Sequence, residues 1–202
     1  FPLDDVITGA ANIENSKILL ATSSGEVNLY DIKTGEISNS HIKHSGSISA
    51  VAITKEGDKI ASTSSRGTTK VWDTLDTSKP ILTIGEDSQF DTDKSSKIQF
   101  TDNGKALWVC NSKESKLWDI NEKKLLLDTK IKPSKSMLIS SSDNLMTAIS
   151  KFQNVSIFKN NSVFTSKSLT IDCGGRVDSG IFASDNTFFV SGSGDGQIRF
   201  WS

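Results

Sequence analysis

Ser47 to Asp73 reads SISAVAITKEGDKIASTSSRGTTKVWD, and its pattern is that of three short strands joined by two turns. Ile48, Val51 and Ile53 stand apolar among small and polar residues, the alternation of a strand that lies against one packed layer. Lys55-Glu56-Gly57-Asp58 breaks that run, Lys59 to Thr63 forms a second strand, and Ser64 to Gly67 is a tight turn. Thr68 to Asp73 is then a β-branched strand closing on Trp72. After Thr74 to Lys79, the segment Pro80 to Ile84 predicts a fourth strand, because proline suits the first position of a strand or a sheet edge.

The closing aromatic recurs along the chain. Tyr30-Asp31, Trp72-Asp73, Trp118-Asp119, Phe158-Lys159 and Trp201-Ser202 end similar β-prone runs, and the aromatic residues stand 42, 46, 40 and 43 residues apart. A nearly constant interval of this length marks a repeat architecture. Turn signals at Glu14-Asn15-Ser16, Asp102-Asn103-Gly104, Ser142-Asp143-Asn144 and Ser184-Asp185-Asn186 each fall between the first and second strands of a repeat, and no segment carries a sustained helical period. A small four-stranded sheet cannot bury both of its faces, so each repeat must stack on its neighbours.

Composition narrows the function. The 23 basic and 24 acidic residues nearly balance, so no overall field draws the chain to nucleic acid or an anionic membrane. Only Arg66, Arg176 and Arg199 are arginines, few for a phosphate-gripping surface. Cys110 and Cys173 lie in different repeats and make neither a disulfide framework nor a zinc site, which points to a reducing intracellular compartment, cytoplasmic or nuclear. No apolar run has the length of a membrane span and no signal peptide opens the chain. Asn154-Val155-Ser156 and Asn160-Asn161-Ser162 match the glycosylation pattern by chance in a Ser- and Asn-rich chain. The first residue is Phe1 rather than Met, so the chain reads as a portion of something longer.

Val71-Trp72-Asp73, Leu117-Trp118-Asp119, Leu29-Tyr30-Asp31 and Ile198-Arg199-Phe200-Trp201, with Ser191-Gly192-Ser193-Gly194-Asp195-Gly196 ahead of the last, resemble WD40 repeats over essentially the whole chain. The resemblance implies an all-β fold, a β-propeller of four-stranded antiparallel blades. Residues 1–202 are then a single propeller region with five blades at about 1–43, 44–89, 90–132, 133–172 and 173–202. Rings of this family usually have seven blades, about 300 residues at this period. The expectation is therefore the C-terminal five blades of a seven-bladed ring, with a complete five-bladed ring as the rival.

The family's blades are often pinned by a hydrogen-bonded tetrad of histidine, Ser or Thr, aspartate and tryptophan. His44, Ser62 and Trp72 match in the second repeat, where Arg66 takes the aspartate's place; in the last, Asp195 and Trp201 match and Cys173 stands near the histidine position. No tetrad is complete, so the blades are expected to rely more on apolar packing than on a shared polar network. The structural repeat positions are Tyr30, Asp31, His44, Ser62, Trp72, Asp73, Trp118, Asp119, Phe158, Asp195 and Trp201.

A search for chemistry finds no catalytic site, cofactor site or metal site. His41 and His44 lack further ligands nearby; His41 reads as a solvated loop residue, and Gly192, Gly194 and Gly196 form a strand-to-strand turn rather than a phosphate loop. Two features suit partner contact. Arg66 falls in a turn between second and third strands, which in this family lies on one face around the central channel, and its guanidinium suits an acidic or phosphorylated partner. The long connection Gly85 to Ser96 carries Glu86, Asp87, Asp91 and Asp93 around Phe90, an acidic loop with an aromatic. Lys113 to Lys135 is a mildly basic sector that reads as a solvated outer face.

The expected function is a non-catalytic scaffold for protein–protein interactions within a multi-subunit intracellular complex, without membrane insertion or small-molecule substrate. One alternative is a substrate receptor of a ubiquitin ligase, although the positions two after each Trp-Asp or Tyr-Asp pair hold Lys33, Leu75 and Asn121 instead of the arginine common in that group. An RNA–protein assembly factor for ribosome biogenesis or RNA processing is another, separable by salt-dependent RNA binding. A phosphoinositide-binding propeller lacks its paired arginines here.

Overall fold

A computed structural model describes residues 5–13, 17–85, 97–101, 104–111, 114–129, 131, 138–140, 146–160 and 165–202. All its regular structure is β, arranged as five antiparallel sheets in chain order. The first sheet holds β1 (Ile7–Ile13), β2 (Lys17–Thr22), β3 (Glu26–Asp31) and β4 (Ile37–Lys43). The second holds β5 (Ile48–Ile53), β6 (Lys59–Ser64), β7 (Thr69–Asp73) and β8 (Leu82–Ile84). The third comprises β9 (Lys97–Thr101), β10 (Ala106–Cys110), β11 (Ser115–Asp119) and β12 (Lys124–Asp128). The fourth comprises β13 (Leu138–Ser140), β14 (Met146–Lys151), β15 (Asn154–Asn160) and β16 (Thr165–Asp172), and the fifth has three strands, β17 (Val177–Phe182), β18 (Phe189–Ser193) and β19 (Ile198–Trp201).

Each strand pairs with its chain neighbour, because short turns return the chain beside itself at low entropic cost. Two details depart from the sequence reading, one in the second sheet and one in the first. The second sheet's fourth strand begins at Leu82 rather than Pro80: proline has no N–H, and the first backbone bond is Ile81 N–H to Val71 O at 2.8 Å. His41 stands on β4 instead of in a loop, with φ at 60°, where the β3–β4 register shifts between Glu26 and Asn28.

The chain forms two compact units, Phe1–Ile98 and Gln99–Ser202, with the boundary inside β9. In the first unit, the first and second sheets pack through Leu19, Ala21, Val27, Ile42, Ile48, Ile60 and Trp72, all buried. In the second unit, Trp108, Cys110 and Leu117 of the third sheet meet Ile149 and Phe158 of the fourth. Val155, Ile157 and Ile171 of the fourth sheet then meet Val177, Phe182 and Phe189 of the fifth. Stacking therefore supplies the apolar burial that a single small sheet lacks.

Candidate functional site

Strand register explains which repeats keep a polar pin. In the second sheet Ser62 pairs with Lys70, two residues before Trp72. That offset puts the hydroxyl under the indole, and Trp72 Nε1 donates to Ser62 Oγ at 3.2 Å while His44 Nε2 lies 2.7 Å from the same oxygen. The fifth sheet repeats the geometry: Ser191 pairs with Arg199, and Trp201 Nε1 donates to Ser191 Oγ at 2.9 Å. Cys173 fills the histidine's place; burial raises its thiol, and the Ser191 hydroxyl opposes that rise more weakly. In the second sheet His44, Ser62 and Trp72 thus form a three-membered relay without the tetrad's fourth member, and in the fifth the bond of Trp201 to Ser191 stands.

The other sheets show what happens when one partner changes. In the fourth, Phe158 has no N–H to satisfy, and the position equivalent to Ser62 holds Ile149; both are fully buried side chains, and Phe158 also packs on Trp108 with ring centroids 5.2 Å apart. In the third, Trp118 keeps its N–H but the equivalent position holds Val109, and Trp118 Nε1 is buried without a hydrogen-bond partner among the described residues. An unmet buried donor costs about 1–3 kcal/mol. Val109→Thr, nearly the same shape with a hydroxyl at the serine position, is expected to stabilise the protein by about 1 kcal/mol. Thermal and urea unfolding check this; a loss of stability comparable to an ordinary Val→Thr core exchange would show that the hydroxyl does not reach the indole.

The aspartates behind the aromatic residues are turn caps. Asp31 Oδ1 accepts from Lys33 N at 2.8 Å and Thr34 N at 3.2 Å, Asp73 Oδ1 from Leu75 N at 2.8 Å, and Asp119 Oδ1 from Glu122 N at 2.8 Å. These short-range bonds fix the bend between third and fourth strands. A shallow depression beside the first of them is lined by Lys17, Leu29, Asp31, Glu36, Ile37 and Ser38.

The turns between second and third strands share one backbone design. Ile7, Ile48 and Val177 pair with Thr22, Ser64 and Ser193, and the next amides, Ser23, Ser65 and Gly194, donate to Val6, Ser47 and Arg176 carbonyls at 2.9, 2.7 and 2.7 Å. Ser24, Arg66 and Asp195 therefore occupy one position of the turn. Asp5, Gly46 and Gly175 occupy another, two residues before the first strand's paired residue.

The side chains at those positions differ sharply. Asp5 takes the Ser23 hydroxyl and the Ser24 amide, the latter at 3.0 Å, and these donors hold its carboxyl well below the usual range. Asp195 takes Arg199 in a bidentate pair at 3.2 and 2.6 Å and the Gln197 amide at 3.0 Å, so its carboxyl is also lowered, first by Arg199. This pairing, rather than a bond to the relay, is where the last repeat's aspartate is used. Arg66 is exposed; its amide donates to Ser64 Oγ at 3.2 Å, and its guanidinium makes no ion pair among the described residues. Glu86, Asp87, Phe90, Asp91 and Asp93 lie outside the described residues.

Sequence reasoning did not anticipate the fifth sheet's outer face. Ile181, Val190 and Phe200 form one row across β17–β19; Ile181, Ile198 and Phe200 are 64%, 70% and 71% exposed, and Phe188 stacks on Phe200 at 6.0 Å. β19 is an edge strand whose other face, carrying Trp201, turns inward to the core of the second unit. The alternation within Ile198–Trp201 was legible, but which face is covered depends on neighbours.

Among the described residues no group of three or more His, Cys, Asp or Glu could hold a metal ion, and no helix is long and apolar enough to cross a membrane. Neither cysteine forms a disulfide; burial pushes the Cys110 thiol up to about 12, against a weaker opposing bond from Ser115. Such thiols are inert in the native state.

Comparison with known proteins agrees with this architecture. Residues 35–73 and 168–202 match the family described as WD domain, G-beta repeat. No curated protein matches the chain in sequence. A chain in the crystal structure of a mitotic checkpoint complex has a similar fold, with a TM-score of 0.69 at 16% identity over 96% of this chain. The present chain spans 63% of that chain's length. With five stacked antiparallel sheets, aromatic-closed third strands and two segments that match the repeat itself, the chain has a WD40-type fold whose sheets correspond to propeller blades.

Proposed function

We propose that the chain is a non-catalytic interaction scaffold, a set of WD40 blades that holds protein partners on its strand-to-strand turns within a larger intracellular complex. The observation that carries this reading is the turn at Arg66. A fixed backbone, repeated in three sheets, presents a different side chain in each, and in the second sheet, whose strands hold a buried hydrogen-bonded relay, it presents an exposed guanidinium. Rigid frames with variable turns are suited to recognition, because little entropy is lost when a partner docks. The acidic connection with Glu86, Asp87, Phe90, Asp91 and Asp93 is a second contact segment on the same reading.

The blades belong to a larger ring, with seven blades the preferred count. Support comes from the apolar row Ile181, Val190, Phe200 on a three-stranded sheet, a face that a soluble propeller covers with its next blade. The resemblance to a chain that sits in a multi-subunit checkpoint complex supports membership of an assembly, without naming one. Unpaired, buried thiols support a reducing compartment.

Affinity purification of the full-length protein, with and without ribonuclease, tests this reading. Co-purifying proteins retained after ribonuclease are expected; recovery of the protein alone, or loss of all partners with RNA, would overturn it.

A further inference from the structure

The three turns, which share one backbone hydrogen-bond pattern, contain their own template for a ligand. In the first sheet, the Asp5 carboxylate sits against the turn and accepts from the Ser23 hydroxyl and the Ser24 amide. In the fifth, the turn carries its carboxylate itself, Asp195, placed so close to Gly175 that a Cβ there would lie 3.1 Å from Asp195 Cγ. The second sheet has the same backbone, yet Gly46 replaces Asp5 and Arg66 replaces Asp195. Two internal copies thus satisfy the turn with an intrachain carboxylate. In this copy the carboxylate is exchanged for glycine and the turn residue for a cation.

The local donors are of the kind a carboxylate uses. Ser65 stands where Ser23 stands, and the Arg66 guanidinium is exposed beside Gly46, where a Cβ would lie 3.3 Å from Arg66 Nε. Lys70 holds the place of Arg199, the residue that clasps Asp195 in the fifth sheet, and its ammonium lies 5.8 Å from the Trp72 ring centroid. Arg66 and Lys70 make no ion pair with an acid among the described residues. A guanidinium with an adjacent hydroxyl binds a carboxylate through parallel charge-assisted hydrogen bonds.

We propose that the β6–β7 turn binds an aspartate or glutamate side chain from an acidic segment of a protein partner, with Arg66 as the principal contact, Ser65 as a second donor and Lys70 adding positive charge. This rests on the scaffold reading above and specifies the chemistry of its partner. Gly46 matters because it leaves the place of Asp5 without a side chain. Its φ is not in the left-handed region, so Gly46→Asp is allowed by the backbone, and the three atoms nearest to a Cβ there all belong to the flexible Arg66 side chain.

The test titrates 15N-labelled protein with N-acetyl-aspartate methylamide, with the asparagine analogue as the uncharged control and the phosphoserine analogue as a third probe. Saturable shifts of the Arg66 and Gly67 amides with the aspartate probe only, or with aspartate and phosphoserine alike, support the site. Arg66→Ser, which copies Ser24, is expected to weaken the aspartate response about tenfold. Gly46→Asp is expected to abolish it while raising the melting temperature by about 2–4 °C, because the protein then supplies its own carboxylate. Equal responses to aspartate and asparagine, a response to phosphoserine alone, or an Arg66→Ser protein that binds as wild type would overturn the proposal. If full-length protein retains all its partners after Arg66→Ser, this inference fails and the scaffold reading stands; if wild type retains none, the scaffold reading fails first.

Discussion

Trp72→Ala is expected to lower the stability of the first unit by about 3–5 kcal/mol, whereas Trp72→Phe should cost only about 1–2 kcal/mol. Trp72 is 4% exposed and lies in the cluster that joins the first and second sheets with Leu19, Ile42, Ile48 and Ile60. Alanine removes the whole ring and leaves a cavity between two sheets whose backbones are held by their own ladders, so collapse is limited. Phenylalanine keeps most of the packing and forfeits the bond to Ser62, whose hydroxyl still faces His44 at 2.7 Å. Ser62→Ala separates the two contributions: it removes the oxygen shared by both rings at little loss of volume, with an expected cost of about 2–4 kcal/mol. Urea unfolding followed by circular dichroism measures all three. Equal losses for Trp72→Ala and Trp72→Phe would show that the polar relay, not the stack, holds the sheets together.

Gly25→Ala is expected to destabilise by about 2–5 kcal/mol, while Gly196→Ala costs about 1 kcal/mol. Both glycines end the same kind of turn with positive φ, 90° for Gly25 and 79° for Gly196, so both substitutions meet the left-handed penalty of an L side chain. Their surroundings differ. A Cβ on Gly25 would lie 2.6 Å from Gly46 O and 2.7 Å from His44 O, backbone atoms that cannot swing away, whereas among the described residues nothing lies within 4 Å of a Cβ on Gly196. Gly25 O also accepts His44 N–H at 2.9 Å, so the displaced backbone carries a link between adjacent sheets and positions the histidine of the relay. Comparable melting temperatures for the two alanine variants would sink this account, since the conformational penalty is common to both.

Much of the fold was legible because strands announce themselves locally. The alternation around Ile48, Val51 and Ile53, the turn at Lys55 to Asp58 and the run closing on Trp72 reappear as β5, β6 and β7 within a residue or so. Ser62 and Trp72 could be paired in advance because they lie on neighbouring strands, where register follows from a short turn. The place of Cys173 was harder to read. A thiol is not an imidazole by sequence, yet it stands in the histidine's place because the segment before β17 is held as the one before β5 is, with Cys173 N bonded to Gln153 O as His44 N is bonded to Gly25 O. The candidate surface divides similarly: a turn at Arg66 was visible, but its kinship with Asp5 was not, because Asp5 precedes the first strand and meets Ser23 and Ser24 only through sheet pairing.

By itself the sequence determined the repeat, the strand-and-turn order and the absence of any helical period, since each depends on residues within a few positions of one another. Tertiary structure alone decided which polar groups meet, that Trp118 keeps a buried donor without an acceptor among the described residues, and that Gly25 lies against two carbonyls of the segment leading into the next sheet. It also decided that Arg66 stands where the fifth sheet's turn holds Asp195, and Gly46 where the first sheet holds Asp5. The physical reason is that hydrogen-bond satisfaction and steric fit are properties of pairs, and these pairs are distant along the chain until the sheets form and stack.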